Sequence, residues 1–206
     1  LLLGDTIMLA GLLKKLRRDY PAAAIDVLVP VAWLPVFAGA PYDVRALPYD
    51  PRSLASQREL LACGPYDWAL VPADNRWSWL ARAIGARWIV GIAGDRPGHK
   101  NWPVDELLPY SPTPTPFGAT AAELVAGPSP APFRVADWPA PSAPDAPDFG
   151  ANYAVLHVGA SSVLKLWPPE RWRALAEWLE SRGMRVVWSA GPGEAAIVEA
   201  IDGDSA

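Results

Sequence analysis

Leu9, Leu12, Leu13 and Leu16 recur at the i, i+3, i+4, i+7 spacing of one helix face, directly after an apolar triplet at residues 1–3 and Gly4-Asp5. The pattern predicts the tail of a strand, a Gly-Asp turn and a helix. Lys14, Lys15, Arg17 and Arg18 fall on the other side of that helix and in its last turn, where cations complement the carbonyl end, and are expected to be a solvated face. Pro21 ends the helix. Residues 25–29 then form a short β-branched run of the kind buried on both faces of a parallel sheet. The alternation continues with a short helix at 33–37, a weak strand at 44–47, a helix at 53–61, a strand at 68–71, a helix at 77–84 closed by Gly85, and a strand at 88–92. Such regular β/α alternation predicts helices wound around a mainly parallel sheet.

From Gly94 to Gly150 the periodicity fades, and prolines crowd residues 128–147, where neither a regular helix nor a central strand can form. This divides the chain into a first Rossmann-like domain at 1–127, a Pro-rich linker at 128–150 and a second domain beginning at 151. A β/α unit restarts there, with a strand at 153–158, a Gly-Ser loop, a helix opened by Pro168-Pro169, and a strand at 185–189. Trp172, Leu175, Ala176 and Leu179 supply the buried stripe of that helix. A second loop, Gly191-Pro192-Gly193-Glu194, leads into a last helix ending at Ile201. Two strands are too few for a stable sheet, so the second domain is expected to be incomplete over 151–206.

Composition narrows the function classes. In 206 residues, 51% hydrophobic and 19% charged, with a formal net charge of −4, neither a disordered chain nor a polycationic nucleic-acid binder fits. The longest uncharged apolar stretch, 27–42, contains Pro30, Pro35 and Pro41 and cannot be a spanning helix. The single cysteine, Cys63, allows no internal disulfide and no cysteine-based zinc site, which suits a reducing compartment and makes the cytoplasm the expected location.

Three places could carry chemistry. Asp5 follows a predicted strand and precedes a helix, where open parallel sheets hold their ligands; it can accept a proton there, or cap the helix by accepting a backbone N–H. The stretch His157-Val158-Gly159-Ala160-Ser161-Ser162 lies between strand and helix, so that Gly159 lets a ligand approach the backbone and the hydroxyls of Ser161 and Ser162 can hold phosphate oxygens, with Lys165 adding positive charge. It is neither a Walker A loop nor a GxGxxG fingerprint, which argues against an NAD-dependent oxidoreductase. Gly191, Gly193 and Glu194 repeat the arrangement at the next strand end, where a carboxylate meets the helix dipole or binds sugar hydroxyls. His157 reads as a satisfied strand-end residue, and with His99 as the only other histidine there is no histidine metal cluster.

Taken together, Gly4-Asp5 before a Leu-rich basic helix ending Asp19-Tyr20-Pro21, and then the segment from Ala24 to Val29, resemble the opening of glycosyltransferase family 9, the ADP-heptose:lipopolysaccharide heptosyltransferases. The run from His157 to Ser162, the run from Lys165 to Trp172 and the Gly191–Glu194 loop resemble that family's donor-domain entry in order and spacing. The resemblance implies an α/β GT-B architecture of two Rossmann-like domains, the first handling acceptor and the second nucleotide sugar. It implies an inverting, metal-independent transfer of heptose from ADP-heptose to a lipopolysaccharide core or lipid A acceptor, with no cofactor, no metal and no nucleic-acid partner. In it Asp5 matches the general base and Lys165 the lysine beside the donor phosphates, while Gly4, Gly159, Ser161, Ser162, Gly191, Gly193 and Glu194 line the binding loops. A lipid acceptor implies peripheral contact with the cytoplasmic face of the inner membrane. The family's later Asp-Thr-Gly-like and Gly-Pro-Thr-like loops have no counterpart before Ala206. A non-catalytic nucleotide- or phosphate-binding α/β module, or a degenerate transferase, also fits these residues.

Overall fold

Helix-forming residues run almost unbroken from the start of the computed structural model, which describes residues 3–39, 41–140, 147–160 and 162–203. α1 (Leu3–Met8) and α2 (Ala10–Asp19) are joined at Leu9, which keeps near-helical dihedrals of φ −66° and ψ −8°. Gly4-Asp5 is therefore not the turn that the sequence pattern predicts but part of the first turn of α1. Leu3 pairs with no strand among the described residues and instead begins the helix, and Asp5 in that first turn complements its dipole.

The chain divides into two compact units, Leu1–Ser142 and Ala143–Ala206. In the first, β1 (Asp26–Val29) and β2 (Arg45–Pro48) pair in parallel. α3 (Leu54–Leu61), capped by the Ser53 hydroxyl accepting the Ser56 N–H, then leads to a three-stranded parallel sheet. That sheet has the order β3 (Tyr66–Val71), β4 (Ala86–Ile92), β5 (Glu106–Leu108), with α4 (Trp77–Ala83) crossing between β3 and β4. β4 shows why residues 88–92 are apolar throughout. Val90 and Ile92 join one core with Leu9, Leu12, Leu13, Val27 and Val29, whereas Ile89, fully buried, points into a second core with Ala81 of α4. Alternate residues thus serve opposite faces, and a side chain buried as Ile89 is contributes about 1.5–3 kcal/mol.

The weakly patterned region holds structure that its sequence conceals. β5 and α5 (Phe117–Ala122) both lie between Gly94 and Gly150, and α5 packs on α2. The stretch read as a linker is partly core: Trp138 is buried at 7% exposure, meets Tyr42 edge-on and Phe37 at a tilt, and donates its indole N–H to the Val36 carbonyl at 2.8 Å. Proline prevents regular structure there, but it does not prevent packing.

The expected solvated basic face is also corrected. Lys14 pairs with Asp137 at 2.8 Å. Arg17 reaches the carbonyls of Pro21, Ala23, Tyr42 and Asp43, and Arg18 binds Asp19 and the Pro128 carbonyl. Lys15 is only 3% exposed and gives its ammonium to the carbonyls of Ala122, Val125 and Gly127. Ala122 ends the short α5 and Val125 and Gly127 follow it, so Lys15 satisfies carbonyls at and just beyond the helix end, at a distance in sequence that periodicity cannot register. Truncation by Lys15→Ala strands those acceptors and is expected to destabilise the first unit by about 2–4 kcal/mol, read as a lower denaturation midpoint with unchanged slope.

The second unit pairs β6 (Tyr153–His157) with β7 (Arg185–Ser189) in parallel, residue 153 opposite 185 and 157 opposite 189. α6 (Pro169–Glu180) and α7 (Ala195–Asp202) complete its described part. As the spacing predicts, Ala176 and Leu179 are buried and Trp172 and Leu175 pack against them.

Candidate active site

In the first unit the placement of Asp5 follows from the direction of α2. Arg17, near the end of α2, holds Tyr42 and Asp43 just before β2 starts, so α2 ends beside the edge where the strands begin. α1, at the other end of this helical run, lies toward the edge where the strands finish, which is where open parallel sheets place their ligands. Asp5 is half-buried there, beside the buried Thr6, and Gly4 has open space around it.

The strand ends of this unit carry a polar network absent from the sequence reading. Buried Asn75 donates its amide to the Ile92 carbonyl and to Asn101 Oδ1, both at 2.7 Å, and its backbone N–H to Asp95. A Cβ at Gly91 would stand 2.6 Å from Asn75 Oδ1, so glycine is needed for the strand to pass this side chain. Asp74 bonds Arg76 and Lys100; burial pushes its carboxyl up, but the Arg76 side chain and backbone together with Lys100 outweigh that and bring it down to about 2. The sequence signal was Asp74-Asn75 in the short connection between a predicted strand and a predicted helix.

In the second unit the two sequence-identified loops meet where β6 and β7 end. Glu194, expected in the first helical turn, is instead the residue preceding α7, and its carboxylate accepts the Gly191 N–H at 2.7 Å. The same carboxylate lies so close over Gly159 that a Cβ there would overlap it. Gly159 and Glu194 therefore form one tie between neighbouring loops, and Gly193, at φ +84°, makes the turn that brings the carboxylate round. His157 Nδ1 lies 3.1 Å from Ser189 Oγ, joining the ends of the paired strands.

Ser162 opens a short 3₁₀ turn at Val163–Lys165 by accepting the Leu164 N–H at 3.3 Å. Lys165 closes that turn, exposed, and the first turn of α6 follows within a few residues. Trp167 and Trp172 meet edge to face at 5.0 Å and fix the approach to α6. Ser161 lies outside the described residues. The second unit thus gathers Gly159, Ser162, Lys165, Gly191, Gly193 and Glu194 on the connections that leave the ends of β6 and β7, while Gly4 and Asp5 belong to the first unit. Pro168 and Pro169 bring no N–H and the Arg171 and Trp172 amides bond the Pro168 carbonyl, so the groups here that can hold phosphate oxygens are the Lys165 cation, the Ser162 hydroxyl and the Glu170 N–H.

Gly159→Ala tests the tie. The added methyl must displace the Glu194 carboxylate from the Gly191 N–H, so the second unit is expected to lose about 1–3 kcal/mol of stability, as for one lost charge-assisted hydrogen bond. Pairing it with Glu194→Ala, which removes the clash, should add little to the single Glu194→Ala effect in equilibrium unfolding.

No helix among the described residues is long and apolar enough to cross a membrane. Residues 117–206 match the model of glycosyltransferase family 9 (heptosyltransferase), which bears out the resemblance over the stretch that holds these loops. Curated proteins provide no match to the chain. Among solved structures, the glycosyl transferase family 9 from Veillonella parvula DSM 2008 is 18% identical with a TM-score of 0.71 over 99% of this chain and 64% of that one. E. coli heptosyltransferase WaaC with ADP-2-deoxy-2-fluoro heptose is 18% identical with a TM-score of 0.72, over 98% and 70%. E. coli ADP-heptose lps heptosyltransferase II is 18% identical with a TM-score of 0.66, over 97% and 65%. The chain spans about two thirds of their length, and at this identity the likeness establishes the fold, the α/β GT-B architecture with parallel sheets expected from the sequence.

Proposed function

We propose that the chain, matched to glycosyltransferase family 9 over residues 117–206, works in the inverting, metal-independent transfer of heptose from ADP-heptose to a saccharide hydroxyl of a lipopolysaccharide core acceptor. The observation that carries the reading is the joined loop pair of the second unit, Gly159 under Glu194 with Lys165 close by in the chain, inside the family-matched stretch. Similar solved structures described as holding ADP and ADP-2-deoxy-2-fluoro heptose support the donor class.

In this mechanism Asp5 takes the proton from the acceptor hydroxyl as its oxygen attacks the anomeric carbon. The new carbon–oxygen bond forms on the face opposite the diphosphate, and the old one breaks with its electron pair leaving on ADP. Lys165, the Ser162 hydroxyl and the Glu170 N–H in the first turn of α6 stabilise the charge that accumulates on the leaving diphosphate, which preorganised dipoles do without reorganising. The reaction runs on the cytoplasmic side, with peripheral contact to the inner membrane made through the lipid-linked acceptor. The basic residues of α2 have internal partners and contribute no argument for that contact.

The test is release of ADP from ADP-heptose by the purified protein, with and without a lipopolysaccharide core acceptor and with other nucleotide sugars in its place. Acceptor-dependent release specific to ADP-heptose is expected. Binding of ADP with no transfer to any acceptor overturns the enzymatic reading and leaves a nucleotide-binding module.

A further inference from the structure

Between β5 and α5 the chain reads Tyr110-Ser111-Pro112-Thr113-Pro114-Thr115-Pro116, and it wraps a hollow of about 430 Å³ with Thr120 of α5 on its wall. We propose that this hollow recognises the neutral sugar ring of the acceptor, an assignment that rests on the glycosyl-transfer reading and gives its acceptor side a location.

The first argument is place. The loop leaves the finishing end of β5 and leads into α5, which packs on the α1–α2 run. α5 runs alongside the α1–α2 run in the same direction: Gly118 faces Met8 and Gly11, while Ala122, Val125 and Gly127 meet Lys15. A Cβ on Gly118 would stand 2.7 Å from the Met8 carbonyl, so the two backbones are close. In that register the residues before Gly118 run beside the residues before Met8, which puts the hollow toward the Asp5 end of α1.

The second argument is chemistry. Pro112 and Pro114 remove backbone N–H donors from the wall, and no lining residue carries a charge. What remains is rich in acceptors. The Ser111 hydroxyl donates to the Thr113 carbonyl at 3.0 Å, the single Thr115 proton is shared between Ser111 Oγ and that same carbonyl, both at 3.0 Å, and Thr113 Oγ1 lies 3.2 Å from Ser111 Oγ. This bonding fixes the hydroxyls in place and occupies Ser111 Oγ and the Thr113 carbonyl, so the acceptors left for a ligand are the Thr113 and Thr115 hydroxyl oxygens. Such a wall suits a ligand that donates many O–H groups and repels a phosphate or carboxylate, which brings only acceptors. Tyr110, 70% exposed at the rim, adds an aromatic face on which the C–H side of a pyranose can lie. Hydrogen-bond acceptors in a rigid loop beside an open aromatic ring describe a saccharide subsite, and the absence of cations in its lining separates it from the phosphate-holding loops of the second unit.

The experiment is a ligand-observed NMR titration of the protein with a neutral methyl heptopyranoside, and separately with inorganic phosphate. The heptoside should bind and phosphate should not compete with it. Tyr110→Ala and Thr113→Val should each weaken heptoside binding about tenfold, while Tyr110→Trp and Thr113→Ser, which keep a ring and a hydroxyl, should retain it. In the transfer assay the weakening variants should raise the acceptor KM with little change in kcat. Heptoside binding that is absent from the wild type, or equal in Tyr110→Ala, or displaced by phosphate, overturns the assignment. The titration needs neither donor nor turnover, so failure of transfer with heptoside binding intact counts against the proposed reaction alone.

Discussion

Under the proposed mechanism, Asp5→Asn is expected to lower acceptor-dependent ADP release by about 10²–10⁴-fold, the usual contribution of a positioned general base, while ADP binding stays within about twofold of wild type. The split follows from where the residue sits. Asp5 belongs to the first unit and the loops proposed to hold the diphosphate to the second, so in the proposed mechanism its loss removes proton acceptance and leaves those loops as they are. Asparagine keeps the size and still accepts hydrogen bonds in the first turn of α1, so the variant should fold; far-UV dichroism and an unchanged melting temperature are the controls. A rate within about threefold of wild type would remove Asp5 from the chemistry.

Trp138→Ala destabilises the first unit by about 3–5 kcal/mol, the range for emptying a large aromatic from a core. The indole fills the space between Phe37 and Tyr42 and satisfies the Val36 carbonyl, so its removal leaves both a void and an acceptor without its donor. Tyr42 adds to the cost because it holds a left-handed backbone at φ 55°, a conformation that a tyrosine keeps only under firm packing. Trp138→Phe, which refills most of the volume but not the N–H bond, should recover more than half of the loss. Equilibrium unfolding of the two variants separates packing from hydrogen bonding; equal stability of Trp138→Ala and wild type would show that the segment is not part of the core.

Most of the element order was legible because the chain alternates clear periods. The Leu9 to Leu16 stripe, the β-branched strand at β1 and the capped α3 each declare themselves within a window shorter than twenty residues. What escaped depends on contacts between distant positions. Lys15 looks solvated by its neighbours in sequence, and its carbonyl partners lie beyond residue 120. β5 is three residues long and sits beside prolines, too short for period two to register. The site was legible in kind rather than in wiring. Gly159 and Glu194 were both identified, but their contact depends on the parallel pairing of β6 with β7, which no local pattern encodes. The Asn75 network was missed for a related reason: a buried amide has no periodic signature, and only the pairing of β3 with β4 brings Gly91 past it.

The seat of Glu194 on Gly159 also bears on how this protein can change. Positions 159 and 194 make up a single unit of variation, because any side chain at the first requires a shorter or absent carboxylate at the second. Libraries that vary these loops should randomise the two codons together; varied at position 159 alone, the site would read as intolerant and hide the compatible pairs.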